Sequence, residues 1–290
     1  MIICILGPTG VGKTKLSIEL AKKYNAEIIN ADSVQVYKGL DIGSAKIKDE
    51  EMDNIPHHLL SYVDVTYDYT LFDYQKDGRK VLNNLLNNNK NVIIVGGTGL
   101  YIKALLYDYK LIEGDNSKDI DLSNEELISF IKDNKPDLEI DFNNRRRLVR
   151  AYQKIVNNEE FDNNSKLLYD TLFIGLTTDR DNLYNIIDSR VEDMFNEGLL
   201  NEVKSFYDKG INSKVLTSAI GYKEVYSYLR GEITLDECKS LIKKNSRHYA
   251  KRQYTFFNHQ IDNIRWFNTN YDDFNKTIEE VNNYINKSSH

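Results

Sequence analysis

Along the first hundred positions, short unbroken apolar runs alternate with longer stretches whose apolar residues recur at helical spacing. The run Ile2 to Leu6 ends in Gly7 and predicts a buried strand at the start of the chain. Residues 13–24 carry Leu16, Leu20 and Ala21 on one helical stripe. A second short strand is predicted over 27–30, a helix over 71–88 (Phe72, Val81, Leu82, Leu85, Leu86), and a strand over 91–95 that ends in Gly96-Gly97. A helix is expected over 98–106. Strands that alternate with helices imply an α/β fold with a parallel sheet covered on both faces.

From 111 to 168 the texture becomes polar and acidic, with short helical pieces around 124–132 and 144–156. This predicts a helical insertion on the α/β core. Strand character returns over 171–176, and helices are predicted over 179–197, 199–208, 217–229 and 235–258. A last strand over 263–267 and a helix over 271–286 close the chain. The expected organisation is core 1–110, insertion 111–168 and core completion with C-terminal helices 169–290.

The chain has 290 residues, 41% hydrophobic and 28% charged, enough to bury a core and too apolar for a disordered tail. Its net charge of −6 excludes a polycation that coats nucleic acid non-specifically. Two cysteines, Cys4 and Cys238, exclude a disulfide scaffold and a Cys-rich zinc module. No apolar run approaches the roughly 18 residues of a membrane span, and Met1 to Leu6 lacks the marks of a signal peptide. The expectation is a cytoplasmic protein with no membrane association. With no coiled-coil heptads, a monomer without an obligate protein partner is expected.

Gly7-Pro8-Thr9-Gly10-Val11-Gly12-Lys13-Thr14 fits the phosphate-loop pattern G-x-x-x-x-G-K-[ST], between a predicted strand and a predicted helix. Backbone N–H groups of such a loop form an anion cradle, and the helix N-terminus adds its positive end. Lys13 supplies a mobile charge and Thr14 a hydroxyl for Mg²⁺. A polyphosphate, nucleotide or pyrophosphate ligand follows; the loop alone does not choose among them.

Ligands of open parallel sheets bind beyond the carboxyl ends of strands. Two more segments occupy such ends: Asn30 to Gln35 and Gly96 to Tyr101. Asp32 can lie near the phosphates with a free carboxylate for a reacting group, or serve as a helix cap or Mg²⁺ partner. Thr98 is a second candidate, or a plain helix cap. Gly96 and Gly97 would let a substrate approach the backbone. Arg145-Arg146-Arg147-Leu148-Val149-Arg150 is a dense cationic run. Lys243, Arg247 and Lys251 share one face of a second predicted helix, with Tyr249, Tyr254, Phe256 and Phe257 interleaved. Such faces track a phosphate backbone and stack on bases, or are simply solvated. Arg180 and Arg190 lie on one predicted helix and could cap a diphosphate or pair with neighbouring carboxylates.

Taken together, several segments resemble the bacterial tRNA dimethylallyltransferase (tRNA isopentenyltransferase) family. They are the phosphate loop at 7–14, ADSVQVY at 31–37, LDIGSAK at 40–46, HHLL at 57–60, VGGTGLY at 95–101 and NRRRLVRA at 144–151. SRVEDM at 189–194, AIGYKE at 219–224 and YAKRQ at 249–253 follow in the family's order. The resemblance implies a P-loop core whose helical insertion clamps a tRNA anticodon stem-loop. It implies transfer of a dimethylallyl group from dimethylallyl diphosphate to N6 of the adenosine 3′ of the anticodon, with Mg²⁺ as cofactor, held at Thr14. Asp32 would be the general base, aided by Thr98 and Lys13. Loop residues Gly7 to Thr14, with Arg180 and Arg190, would hold the diphosphate. Asp32, Ser33, Val34, Gln35 and Thr98, with Asn144, Arg145, Arg146 and Arg147, would contact tRNA, Gln35 matching the donor and acceptor edge of adenine. The chain departs from the family pattern at Arg150-Ala151-Tyr152-Gln153, over 157–164 and at Thr255-Phe256-Phe257. An adenylate isopentenyltransferase, an NTP-dependent small-molecule kinase and a non-catalytic RNA-binding module are the alternatives.

Overall fold

The computed structural model describes residues 1–111, 120–158, 161 and 166–288. They form two compact units, Met1–Tyr107 with Leu167–His290, and Asp108–Lys166. The first unit is built on a six-stranded sheet: β1 (Ile2–Leu6), β2 (Ala26–Asn30), β3 (His57–His58), β4 (Asn91–Val95), β5 (Thr171–Thr177) and β6 (Arg265–Asn268). The spatial order is β3-β2-β4-β1-β5-β6, and every neighbouring pair is parallel. A parallel sheet with both faces covered needs strands that are apolar throughout. β1 meets this: Cys4 and Leu6 join one core, while Ile3 and Ile5 join the other. That split is the two-residue period of a strand.

Helices α1 (Lys13–Tyr24), α2 (Leu71–Asn87) and α3 (Gly99–Leu106) form the early crossovers. α6 (Arg180–Glu197), α7 (Leu199–Tyr207), α8 (Lys214–Ser218), α9 (Tyr222–Leu229), α10 (Leu235–Gln260) and α11 (Phe274–Ser288) follow β5. The helix expected over 217–229 is in fact two. Ala219 is extended (φ −69°, ψ 138°) and Gly221 adopts φ 93°, so the chain turns between α8 and α9 although its apolar spacing runs on. β3 escaped the sequence reading because two residues carry no period. The last strand begins two residues later than expected, after Asn263 at φ 59°. The final helix begins at Phe274 instead of 271, because residues 269–273 form a connector that packs on the phosphate loop. Cys4 and Cys238 are both buried free thiols, and burial pushes Cys238 up to about 11. Among the described residues no helix is long and apolar enough to cross a membrane.

The second unit holds α4 (Asn124–Asn134) and α5 (Arg145–Val156) around Leu127, Ile131, Leu148, Val149 and Ala151. Ser123 and Glu126 form a reciprocal cap on α4, and the Asn144 side chain accepts from the Arg147 amide to cap α5. The sequence reading drew this segment at 111–168; residues 112–119, 159–160 and 162–165 of that range lie outside the described residues.

Candidate active site

The loop 7–14 joins β1 to α1. Gly12, at φ 86° and ψ 17°, makes the turn into the helix, a conformation that would strain any residue with a Cβ. The residue that opens α1 is a glycine, which puts no side chain of its own on the leading amides and suits an anion there. Lys13 Nζ folds back and donates to Pro8 O at 2.6 Å. Its pKa is lowered to about 7, chiefly by burial and then by the nearby Arg190 cation, with the Asp32 carboxylate opposing both. From α6, Arg190 Nη1 donates to Thr9 Oγ1 at 2.9 Å, so the loop carries two cations. Burial also pulls Arg190 downward, yet a guanidinium keeps its proton.

Asp32 stands just past the end of β2. Its Oδ1 accepts from the amides of Val34 (2.9 Å) and Gln35 (3.3 Å), which fixes the carboxylate in a tight turn. Asn30 braces the turn: its Oδ1 accepts from Asp32 N, and its Nδ2 donates to Leu59 O. Thr98 does not cap α3 with its side chain. Its Oγ1 instead accepts from Ser33 N at 3.1 Å, while its own amide donates to Ala31 O at 3.1 Å, tying the β4 loop to the β2 loop. Gly96 and Gly97 make room for protein atoms. A Cβ on them would lie 2.2 Å from Ala31 O and from Gln253 Nε2 respectively.

These loops share one cavity of about 1020 Å³. Thr9, Gly10, Gly12, Lys13, Thr14, Asp32, Ser33, Val34, Gln35 and Arg190 all line it. Gly7, Pro8 and Val11, which belong to the same loop, are buried. The cavity therefore offers a cationic, amide-rich end beside a carboxylate with unused acceptor capacity. An anionic leaving group and a proton-bearing nucleophile can be served together in such a space.

Other candidates fall elsewhere. Arg180 is exposed at the start of α6, with its guanidinium 5.1 Å from the centre of the Tyr184 ring, and it does not line the cavity. The Gln35 amide donates to Ser44 O (3.0 Å) and Ala45 O (3.4 Å), so its donor end is engaged by the backbone. Arg145 donates to Asn124 Oδ1, Ile120 O and Leu122 O within the second unit, whereas Arg146 and Arg147 are exposed. In the second basic cluster, Lys243 pairs with Glu192 (2.6 Å) and Arg247 with Asp188 (2.6 Å), both on α6. These two cations are spent on helix pairing, and Glu192 is held down to about 2 by Lys239 and Lys243.

Three contributors were not singled out as site residues. Tyr249 lines the cavity within hydrogen-bond reach of Thr98; burial, with Asp32 nearby, pushes its phenol up to about 12. Gln253 Nε2 donates to Gly97 O at 2.9 Å and fixes the glycine turn. Glu202, on α7, accepts from the amides of Asp41 (3.0 Å), Ile42 (2.7 Å) and Gly43 (3.1 Å), and from the Tyr222 hydroxyl (2.6 Å). It thereby sets the segment whose carbonyls hold Gln35. Tyr249 stands among the aromatics interleaved with the second basic cluster and in YAKRQ of the resemblance, and Gln253 in YAKRQ alone; nothing local marks Glu202.

Comparison with known proteins shows the family. A family model described as IPP transferase matches residues 35–260. A tRNA dimethylallyltransferase of Bacillus licheniformis is 42% identical over 283 residues, spanning 92% of this chain and 90% of that protein. The crystal structure of a full-length tRNA isopentenylpyrophosphate transferase from Bacillus halodurans superposes with a TM-score of 0.78 at 38% identity, over 99% of this chain and 95% of that one. A eukaryotic dimethylallyltransferase acting on tRNA gives a TM-score of 0.83 at 27% identity, over 99% and 79%. With a phosphate loop after β1, a fixed carboxylate after β2, and this extent of likeness, the chain belongs to the IPP transferase family.

Proposed function

We propose that the protein is a tRNA dimethylallyltransferase. It moves a dimethylallyl group from dimethylallyl diphosphate to N6 of the adenosine 3′-adjacent to the anticodon, releasing diphosphate. The observation that carries this reading is the placement of Asp32 on the same cavity as Lys13, Arg190 and the phosphate loop. The diphosphate sits on the loop amides, Lys13 and Arg190. Asp32 accepts the N6 proton as the lone pair attacks C1 of the allyl group, and the C1–O bond breaks as C1–N6 forms. Negative charge then grows on the leaving diphosphate, and the loop amides and two cations stabilise it. Thr98 and Ser33 hold the Asp32 turn, and the Val34 and Gln35 wall faces the base, which must leave its stack at a cost of a few kcal/mol.

Among the described residues no three His, Cys, Asp or Glu side chains group as a metal site. Mg²⁺ needs no such group, since it keeps several waters and binds through one or two protein oxygens plus substrate phosphates. The Thr14 side chain at the cavity fits that donor set. Bound there, Mg²⁺ would offset charge on the diphosphate.

The segment 108–166 is read as the unit that supports tRNA, with Asn144, Arg146 and Arg147 presenting a helix N-terminus and cations to phosphate. A protein with this role works in the cytoplasm. Purified protein, Mg²⁺ and radiolabelled dimethylallyl diphosphate are offered an unmodified anticodon stem-loop or AMP. Label in the stem-loop alone is expected. Label in AMP identifies an adenylate-directed enzyme, and label in neither refutes prenyl transfer.

A further inference from the structure

After β6 the chain runs back across the outside of the phosphate loop before α11 begins. The Thr269 amide donates to Thr177 O at 2.8 Å, which anchors it to the end of β5. Its Oγ1 donates to Val11 O at 2.8 Å, and the side chain is buried. Two residues on, the Tyr271 hydroxyl donates to Gly10 O at 3.4 Å. The connector is itself fixed: Asn270 N donates to Thr277 Oγ1, and Asp273 N to Asn270 Oδ1, each at 2.9 Å. These residues lie outside the matched range 35–260.

A trans peptide is planar, so its C=O and N–H point in opposite directions. A carbonyl fixed toward the connector therefore turns the N–H of the same peptide away from it. Val11 is fully buried, whereas Gly12, which owns the next amide, lines the cavity. Gly12 is also the residue best able to let that peptide rotate. We propose that Thr269 is a positioning residue for the diphosphate: its hydroxyl holds the Val11–Gly12 peptide so that the Gly12 N–H stays aimed into the anion cradle. The inference rests on reading the loop as the diphosphate site. It couples the C-terminal connector to binding of one substrate and not the other. Without the hydroxyl, Val11 O is a buried acceptor with no partner from the connector, and rotation of the peptide would relieve it at the expense of the cradle.

The test uses the full chain with Thr269→Val, which keeps the shape and removes the donor, and Thr269→Ser, which keeps the donor. Binding of inorganic pyrophosphate with Mg²⁺ is measured by calorimetry, together with KM for dimethylallyl diphosphate, KM for the stem-loop, and Tm. Thr269→Val is expected to weaken pyrophosphate binding and raise KM for dimethylallyl diphosphate about tenfold. KM for the stem-loop should stay within about twofold, and Thr269→Ser should restore pyrophosphate binding. Thr269→Ala replaces Thr269→Val if the latter does not fold. Unchanged pyrophosphate affinity in a folded variant that lacks the hydroxyl overturns the inference, whatever its Tm. So does an equal rise in both KM values, or a Thr269→Ser variant as weak as Thr269→Val. A wild-type chain that does not bind pyrophosphate overturns the reading of the loop, and this inference with it.

Discussion

Lys13 makes the affinity for diphosphate depend on pH in a way that can be worked out. Its pKa lies at about 7, lowered chiefly by burial and then by Arg190, with Asp32 pulling the other way. The cationic form is the one that binds an anion. It makes up about a quarter of the protein at pH 7.5 and about 3% at pH 8.5. A bound diphosphate restores the high pKa, so binding takes up a proton, and the Lys13 contribution to affinity falls about eightfold between those two values. Pyrophosphate titrates in the same range, so Lys13→Arg is the reference: its cation is permanent and reports the ligand alone. Calorimetry at both pH values, in buffers of different ionisation enthalpy, measures proton uptake directly. The wild type should take up nearly one more proton at pH 8.5 than Lys13→Arg does. Identical pH dependence in the two proteins would refute the argument. The sign for stability also follows. The folded pKa lies below the unfolded one, so the unliganded protein gains stability as pH rises from about 7 toward 10.5.

Asp32→Asn keeps the Oδ1 acceptor for the Val34 and Gln35 amides but takes no proton; single-turnover transfer should slow about 10²–10⁴-fold with stem-loop affinity nearly unchanged. Normal transfer would remove Asp32 from the chemistry. Arg190→Met should raise KM for dimethylallyl diphosphate, while Arg180→Met, whose side chain lies outside the cavity, should not; equal steady-state effects would contradict this placement. Arg145→Ala should speed hydrogen exchange over 120–156 by releasing three hydrogen bonds, whereas exposed Arg147→Ala should leave exchange alone and weaken only stem-loop binding.

The α/β core was legible because β1 is an unbroken apolar run and β4 carries one over 92–95, as a strand buried on both faces requires. The phosphate loop and Asp32 were legible because both sit where a strand run stops. The break between α8 and α9 was not, since it depends on the backbone of Ala219 and Gly221 while the side-chain spacing stays helical. The ion-pair partners of the second basic cluster were illegible for a related reason. Lys243 and Arg247 meet Glu192 and Asp188, carboxylates more than fifty residues away in the chain on another helix. Thr269 and Glu202 were invisible because one hydroxyl or carboxylate among many acquires its role only through a long-range contact.

The segment Asp108–Lys166 leaves and re-enters the chain at one point. Tyr107 and Leu167 form an antiparallel bridge, Leu168 N donates to Leu106 O, and Asp108 N donates to Lys166 O, the last two at 2.8 Å. For the sheet, everything beyond that bridge is a single closed loop. Doubling the length of such a loop costs only about 0.6 kcal/mol in closure entropy. Selection can therefore lengthen, shorten or rewrite this stretch with almost no effect on the sheet that carries Lys13 and Asp32. Two of the three departures from the family pattern, at 150–153 and 157–164, fall within this stretch. Change there is cheap for the sheet and for the cavity at its strand ends.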